Sequence, residues 1–474
     1  MHVLWGIQDG SPHSSNDLPP ILRLCLRTVN ASAGTGRRTH PAAEPVIGAE
    51  VRKGYQEPIA GHIPSLPLTG TIDPRKNEQR MPSMNRRDAL GVIAKTGAAL
   101  FSAPMVLRGR FELFGQQGAT YSARAVRLVE ETVVIDMLNQ FRFPDFAEKP
   151  PRSQKWMNSV GSFREQDWEV YRSSGIDVFG LGHGAASYEE AVKYFADWNG
   201  FLAQYDQWFM RIDDMRDIER LAGSGRVGVL LTFQGSDHFR SAPDVDTFYA
   251  LGQRVSQLTY NYQNRLGSGF LETKDGGLTV FGGDVVARMN GVGMAVDLSH
   301  CGDRTTLDGI AASKKPVIFS HASARALAPD HARCKTDEMI RGLARTGGVM
   351  GIPFLRMMIR ADEPVTIEHV IDHFDHVVKL VGVDHVGVGS DMDIVGNPNP
   401  VNGEPMRETP NWDRYRLHKD EKGQWMLTIR GLDHPRRMFD LTDALIRRGY
   451  TDAQIRLILG GNWRRVMGAV QGST

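Results

Sequence analysis

Three cysteines (Cys25, Cys301 and Cys334) in 474 residues are too few for a disulfide framework and rule out a four-cysteine zinc site. Cys301 directly follows His300, but neighbours in sequence need not face each other, and the thiol reads as a small buried hydrophobe. Charge of one sign is also missing. Lys and Arg number 56 against 55 Asp and Glu, a formal net charge of +1, which leaves no global electrostatic case for nucleic acid or an anionic membrane. A serine elbow, a phosphate-cradling glycine loop and a dinucleotide fingerprint are absent as well. The glycine-rich run from Asp275 to Gly283 lacks a following Lys-Ser/Thr and reads as turns ahead of a helix opening at Asp284. What remains, 41% hydrophobic and 23% charged, is the composition of an ordinary soluble globular protein.

The most informative stretch runs from Gly291 to His300, followed by a second from Pro316 to His321. Each is a short apolar run, Val292 to Leu298 and Val317 to Phe319, that stops at Ser-His, as buried strands do. Between them, Arg304 to Ser313 has the length of a short amphipathic helix with Leu307, Ile310 and Ala311 on one side. Strand, helix and strand at this spacing form a βαβ unit with parallel neighbours. Both imidazoles then emerge at the carboxyl-terminal edge of the sheet, where α/β folds place their chemistry. Two converging histidines suit a divalent metal; the plainer alternative is that each closes its strand by bonding a neighbouring loop.

The same alternation extends along the chain. Strand-like segments fall at 132–138, 176–181, 227–233, 255–260, 292–298, 317–319, 347–354 and 385–391, separated by helical sequence. Eight such repeats predict a (β/α)8 barrel, the TIM-barrel class of α/β fold. Residues 396–430 form the longest insertion, and the tail from Asp440 reads as helices on the outer ring. The strand ends offer Asp136, Asn139 and Gln140; His183; Gln234, Asp237 and His238; Tyr260 and Asn261; His300; His321; and Asp391 with Asp393. Arg333 lies in the loop after the sixth strand. A further group, His369, His373 and His376, shares one helix at i, i+4, i+7 spacing; that helix belongs to the outer ring, so packed or solvated side chains are expected rather than a metal stripe.

The amino-terminal part reads differently. Residues 1–83 carry many Pro, Gly, Ser and Arg and no sustained period, as in a disordered or spurious extension. Residues 84–107 then resemble a twin-arginine export signal: Met84, paired Arg86 and Arg87, and a weakly apolar stretch. That stretch is too short to span a bilayer and is interrupted by Lys95. The expectation is a protein exported to a periplasm, touching membrane only through this segment if it stays uncleaved near Ala103. The folded domain is assigned to 120–474.

Several motifs now align with one family. Gly277-Leu-Thr-Val-Phe-Gly, the run from Val285 to His300, Lys315 to His321, Arg345-Thr-Gly-Gly-Val-Met-Gly, Gly387-Val-Gly-Ser-Asp391 and the closing Leu459-Gly-Gly-Asn-Trp-Arg-Arg-Val-Met467 resemble the membrane (renal) dipeptidase family, peptidase M19. The resemblance covers about Thr132 to Met467. It implies a metal-dependent (β/α)8 hydrolase, usually with two zinc ions, that cleaves dipeptides and forms a homodimer in many members. By position it carries His300 and His321 over as metal ligands, Asp391 as the active-site aspartate, and Arg333 as the residue that binds the substrate carboxylate.

The chain also departs from that pattern. The family's strand-one His-x-Asp metal pair falls at Leu138 and Gln140, the metal-bridging glutamate at Gln234, and the histidine after strand four at Tyr260. Leucine donates no lone pair, and an amide oxygen is a poor zinc ligand beside a carboxylate. One divalent metal, zinc, is therefore expected on His300, His321 and Asp391, and a two-metal centre is not; Asp391 serves as ligand or as general base. Asp237 or His238 is a candidate for a missing ligand. Gln234 and Tyr260 are left as substrate-binding positions beside Arg333. Three functions stay open: hydrolysis of a dipeptide or related amide, a non-peptide hydrolysis or maturation step on an exported substrate, and catalytically inactive binding.

Overall fold

The computed structural model describes residues 110–112, 120–141, 152–184, 186–362, 364–396, 418–419, 425–426 and 429–472. The expected extension 1–83, the signal-like segment 84–107 and most of the insertion 396–430 lie outside them. The described residues all belong to one compact unit, 106–474.

Eight parallel strands make up the centre: β1 (Ile135–Asn139), β2 (Val178–Leu181), β3 (Val227–Leu230, resumed as Thr232–Phe233), β4 (Val255–Gln257), β5 (Ala295–Asp297), β6 (Val317–Phe319), β7 (Val349–Ile352) and β8 (Val386–Val388). Hydrogen-bonded neighbours run β2, β1, β8, β7, β6, β5, β4 and then the second half of β3. The break at Leu231 closes the ring. The first half of β3 pairs with β2 (Phe179 opposite Val229), and the second half pairs with β4 (Phe233 opposite Ser256). One strand thus serves two neighbours by twisting between them, and the expected (β/α)8 arrangement is realised. Val292, expected in β5, instead ends the preceding helix (Val280–Val292), which Gly293 terminates in a left-handed conformation at φ 85°.

Two local readings change. The helix between β5 and β6 spans Asp303–Ala312, but it buries Thr305, Thr306 and Gly309 rather than the expected Leu307, Ile310 and Ala311. The cause is close approach: a Cβ on Gly309 would fall 2.7 Å from Leu298 Cδ2, so small side chains let the helix settle on the sheet. Second, Phe209–Arg211 is an extra strand on the outside of β3, a three-residue element too short to carry a period of its own. The helix ahead of β5 also opens at Val280, capped by Thr279, four residues before the expected start.

The tail packs only partly as expected. Helix Arg437–Arg447 lies on helices Ala123–Glu131 and Ile367–Val381 in the outer ring. The last helix, Asn462–Gln471, instead reaches segments that lead into strands. Asn462 Nδ2 donates to Val383 O (2.7 Å) and Val386 O (2.8 Å), Arg465 Nη1 to Gly347 O (2.9 Å), and Lys315 Nζ to Ala469 O (3.4 Å). It therefore closes the amino-terminal end of the barrel, opposite the strand ends that carry polar residues.

The three histidines of helix Ile367–Val381 are each engaged separately. His369 Nδ1 accepts from the Thr366 backbone N–H, His376 pairs with Asp337 (2.7 Å), and His373 is fully buried. His373 Nδ1 accepts from Ala324 N (3.1 Å) while its Nε2 meets Ile359 O (2.8 Å), so it staples the loop after β6 to the loop after β7. Burial lowers its pKa to about 4, keeping it neutral in that role. Replacing His373 by Ala strands a buried N–H and a buried carbonyl, and should lower the unfolding free energy by about 2–4 kcal/mol in urea titration. The same change at His376 should cost less than about 1 kcal/mol. An unchanged unfolding midpoint for His373→Ala would contradict the stapling role.

Candidate functional site

The carboxyl ends of β5, β6 and β8 are each followed by a serine and then a candidate site residue: Ser299-His300, Ser320-His321 and Ser390-Asp391. The two imidazoles meet. His300 Nε2 lies 2.9 Å from His321 Nε2, and both rings are buried. Asp391 closes in from the other side, with Oδ2 3.9 Å from His321 Nε2. Its approach depends on Gly389: a Cβ there would sit 1.8 Å from Ser320 O, so only glycine lets the β8 end lie against the His321 segment. Asp391 itself has φ 55°, an uncommon conformation for a non-glycine residue, and its backbone N–H is held by Leu138 O at 2.8 Å.

The proton positions on both rings follow from their partners. Asn261 Oδ1 is 2.8 Å from His300 Nδ1, and an amide oxygen only accepts, so the proton sits on Nδ1. Ser320 Oγ is 2.8 Å from His321 Nδ1, and its own proton goes to Asp297 Oδ2 at 2.5 Å. The hydroxyl therefore accepts from His321 Nδ1. Each ring is left with a bare lone pair on Nε2, and the two lone pairs point at the same small volume. Gln234 reaches it too, its amide Nε2 3.3 Å from His321 Nε2. A shared proton is disfavoured, because burial, Arg333 and the opposing ring hold His300 well below the ordinary imidazole range. Burial with Arg333 and Lys335 does the same to His321.

The donor set fits one cation and is unfinished as a cage. Two imidazole nitrogens on a single tetrahedral zinc lie about 3.3 Å apart, a few tenths of an ångström more than here. Among the described residues no three His, Cys, Asp or Glu side chains form a complete metal cage. The third donor, Asp391, stands back and is engaged through Oδ1 by Gln140 Nε2 at 2.7 Å. Burial pushes the Asp391 carboxyl up to about 6, against the lowering effects of the Gln140 bond and the Arg333 charge.

The remaining expected positions are placed as follows. Leu138 is buried in β1, and Gln140 is half-buried beside Asp391. Tyr260 stacks on the His300 ring, centroids 4.4 Å apart and planes at 21°. Arg333 is buried, donating through Nη1 to Ser299 O and through Nη2 to His321 O at 2.7 Å. It braces the two histidine-bearing turns through their carbonyls. His238 is not near the imidazole pair: it is buried against Phe233, Phe239 and Phe248 with Nε2 on Gln253 Oε1 (3.1 Å). Asp237 stands at the exposed rim, where Oδ2 takes the amide of Asn264 (3.3 Å). His183 stacks on Tyr194. Cys301 and Cys334 are buried free thiols, in keeping with a packing role.

Two carboxylates that the sequence reading passed over or left unassigned hold this arrangement. Asp136 accepts from Ser390 N (2.7 Å) and Oγ (2.5 Å), and Asp297 accepts from Ser299 and Ser320 in the same way. The serine partners were visible, one immediately before each of His300, His321 and Asp391, but nothing in the sequence linked them to these two aspartates.

Similarity to known proteins agrees with this geometry. Residues 178–403 and 423–474 match the model of the membrane dipeptidase family, peptidase family M19. The chain is 34% identical over 251 residues to dipeptidase verJ of Clonostachys rogersoniana, covering 52% of this chain and 56% of that protein. It is 36% identical over 200 residues to dipeptidase tcpJ of Claviceps purpurea, covering 41% and 46%. The chain thus spans about half the length of these curated relatives. A solved amidohydrolase from Pseudomonas aeruginosa superposes with a TM-score of 0.60 at 26% identity, over 73% of this chain and 99% of that one. With a family match across more than half of its residues and eight parallel strands closed around a histidine pair, the chain belongs to the membrane dipeptidase family, peptidase family M19.

Proposed function

We propose that this chain is a one-metal hydrolase that cleaves a dipeptide or related amide bearing a free carboxylate. The observation that carries the reading is the pair of Nε2 atoms 2.9 Å apart in a buried site, both facing inward as acceptors because their Nδ1 partners take the ring protons, with the Gln234 amide beside them. Two acceptors so placed repel unless a cation lies between, and zinc suits two imidazoles and a carboxylate. When bound, such an ion supplies an acidified water and a polarised carbonyl. Asp391 Oδ2, the oxygen not held by Gln140, is then either the third ligand or, with the ion on the two imidazoles alone, the place for a proton taken from the attacking water. Leu138, Gln140 and Gln234 stand where the family keeps its other metal ligands, which favours one ion over two.

Metal analysis of the purified chain tests this directly. The expected result is one equivalent of zinc, lost in His321→Ala with the fold intact by circular dichroism. Two equivalents, or zinc kept in that variant, would refute it; none in the natural chain would point instead to a binding protein on the same scaffold.

Arg333 supports the carboxylate requirement. Its guanidinium lies within the electrostatic reach of Asp391 and behind both histidines, and its N–H groups form a planar fork suited to a carboxylate. The expected effect of Arg333→Lys is a loss of roughly tenfold or more in kcat/KM, since a charged hydrogen-bonded pair contributes about 1.5–3 kcal/mol. Because that change also loosens the brace on Ser299 and His321, the deciding comparison is a substrate against its C-terminal amide. Equal turnover of the two removes Arg333 from substrate binding.

We also propose export through Arg86 and Arg87. Changing both to Lys should hold the protein in the cytoplasm on fractionation, and unaltered export would dismiss the signal.

A further inference from the structure

We infer that Asp297 is a positioning residue that sets the proton of His321 through the hydroxyl of Ser320. Asp297 is buried and touches neither imidazole. Its carboxylate takes four hydrogen bonds from the two strand ends that carry the histidines. Oδ1 accepts from Ser299 N (3.0 Å), Ser299 Oγ (2.6 Å) and Ser320 N (3.1 Å), and Oδ2 accepts from Ser320 Oγ (2.5 Å).

The consequence lies in the direction of one hydroxyl. A serine has a single proton, and a carboxylate offers only acceptors, so the Ser320 proton is drawn to Asp297. The oxygen of Ser320 then presents lone pairs to His321 Nδ1, 2.8 Å away, and the imidazole proton must sit on Nδ1. The Nε2 lone pair is thereby fixed toward His300. Ser299 adds the frame for this relay: its hydroxyl also donates to Asp297 while accepting from the His321 backbone N–H at 3.2 Å. A carboxylate bonded directly to a ligand imidazole is a common way of fixing its tautomer. Here a serine stands between, so one carboxylate can hold two strand ends at once.

The variant Asp297→Asn separates this role from simple support. An amide nitrogen turned to Ser320 is a donor, which frees the hydroxyl proton to point at His321 Nδ1. The ring should then move to the Nε2–H form. Nitrogen-15 NMR of the imidazoles in metal-free protein, above the imidazole titration range, reads the tautomer without any activity. The natural chain is expected to show His321 protonated on Nδ1, Asp297→Asn to show it on Nε2, and Ser320→Thr to keep the natural form. If Asp297→Asn does not fold, Ser320→Ala gives the second reading, with a mixture of both tautomers expected.

Zinc alone, titrated against a chelator, should bind about 10–100-fold more weakly to Ser320→Ala than to the natural chain. This arm rests on the one-metal reading, whereas the tautomer arm does not. A natural chain that binds no zinc yet carries the His321 proton on Nδ1 upholds the relay and rejects the metal. A natural His321 protonated on Nε2, or an unchanged tautomer in both Asp297→Asn and Ser320→Ala, overturns the relay.

Discussion

A buried carboxylate that accepts both the backbone N–H and the hydroxyl of a serine is the interaction on which the mouth of this barrel depends. It occurs twice. Asp136 on β1 holds Ser390 beyond β8, and Asp297 on β5 holds Ser320 beyond β6. In each case the bond crosses from one strand to its neighbour, so the end of the sheet is tied where backbone pairing stops. In each case, too, the residue after the serine is a candidate site residue. An unpaired charge buried at such a place would be costly, and the serine donors are what make it tolerable. Asp136 shows the tension. Burial still raises its pKa although three hydrogen bonds and the Arg437 charge favour its ionised form.

The bond to Ser390 bears on Asp391. A left-handed φ at a non-glycine residue persists only when its surroundings over-determine it. Here the preceding serine is clamped at two atoms, the Asp391 N–H is fixed on Leu138 O, and Gln140 N bonds to Met392 O at 3.0 Å. The conformation turns the carboxylate back over the barrel mouth toward His321. The site is thus assembled from strand ends, which is why its parts lie more than 250 residues apart in sequence for Gln140 and Asp391 and still meet at 2.7 Å.

Much of the fold was legible in the sequence because every barrel strand is a short apolar run with helical sequence between. Boundaries were less so. Val292 belongs to a helix because Gly293 ends it there, and β3 is split at Leu231 by a demand of closure that only the ring imposes. His300, His321 and Asp391 could be found from strand-end position and family motif together. Asp297 could not, since a lone aspartate two residues before a serine has no periodic or motif signature. His238 misled for the opposite reason. Its sequence position beside a strand end is right, but the chain turns after Gly235 (φ 134°) and buries the ring among phenylalanines. The apolar face of the helix after β5 failed because proximity to Leu298, set by Gly309, outranked hydrophobicity.

The uncharged side chains at Gln140 and Gln234 are consistent with one another electrostatically. Two carboxylates about 4 Å apart repel by about 4 kcal/mol at an effective dielectric of 20, so an acidic residue beside Asp391 would need a cation between them. Gln140 removes that need: its amide N–H meets Asp391 Oδ1 directly and is the favourable partner that a metal would otherwise be. Gln234 acts likewise at His321, offering an N–H where a carboxylate would call for a second ion. Arg333 and Lys335 already place positive charge behind the histidines, and both lower the pKa of His321. With amides at positions 140 and 234, little anionic charge stands against that background. Among the described residues Asp391, pushed up to about 6 with Oδ1 held by Gln140, is the carboxylate that approaches the imidazole pair, its Oδ2 3.9 Å from His321 Nε2.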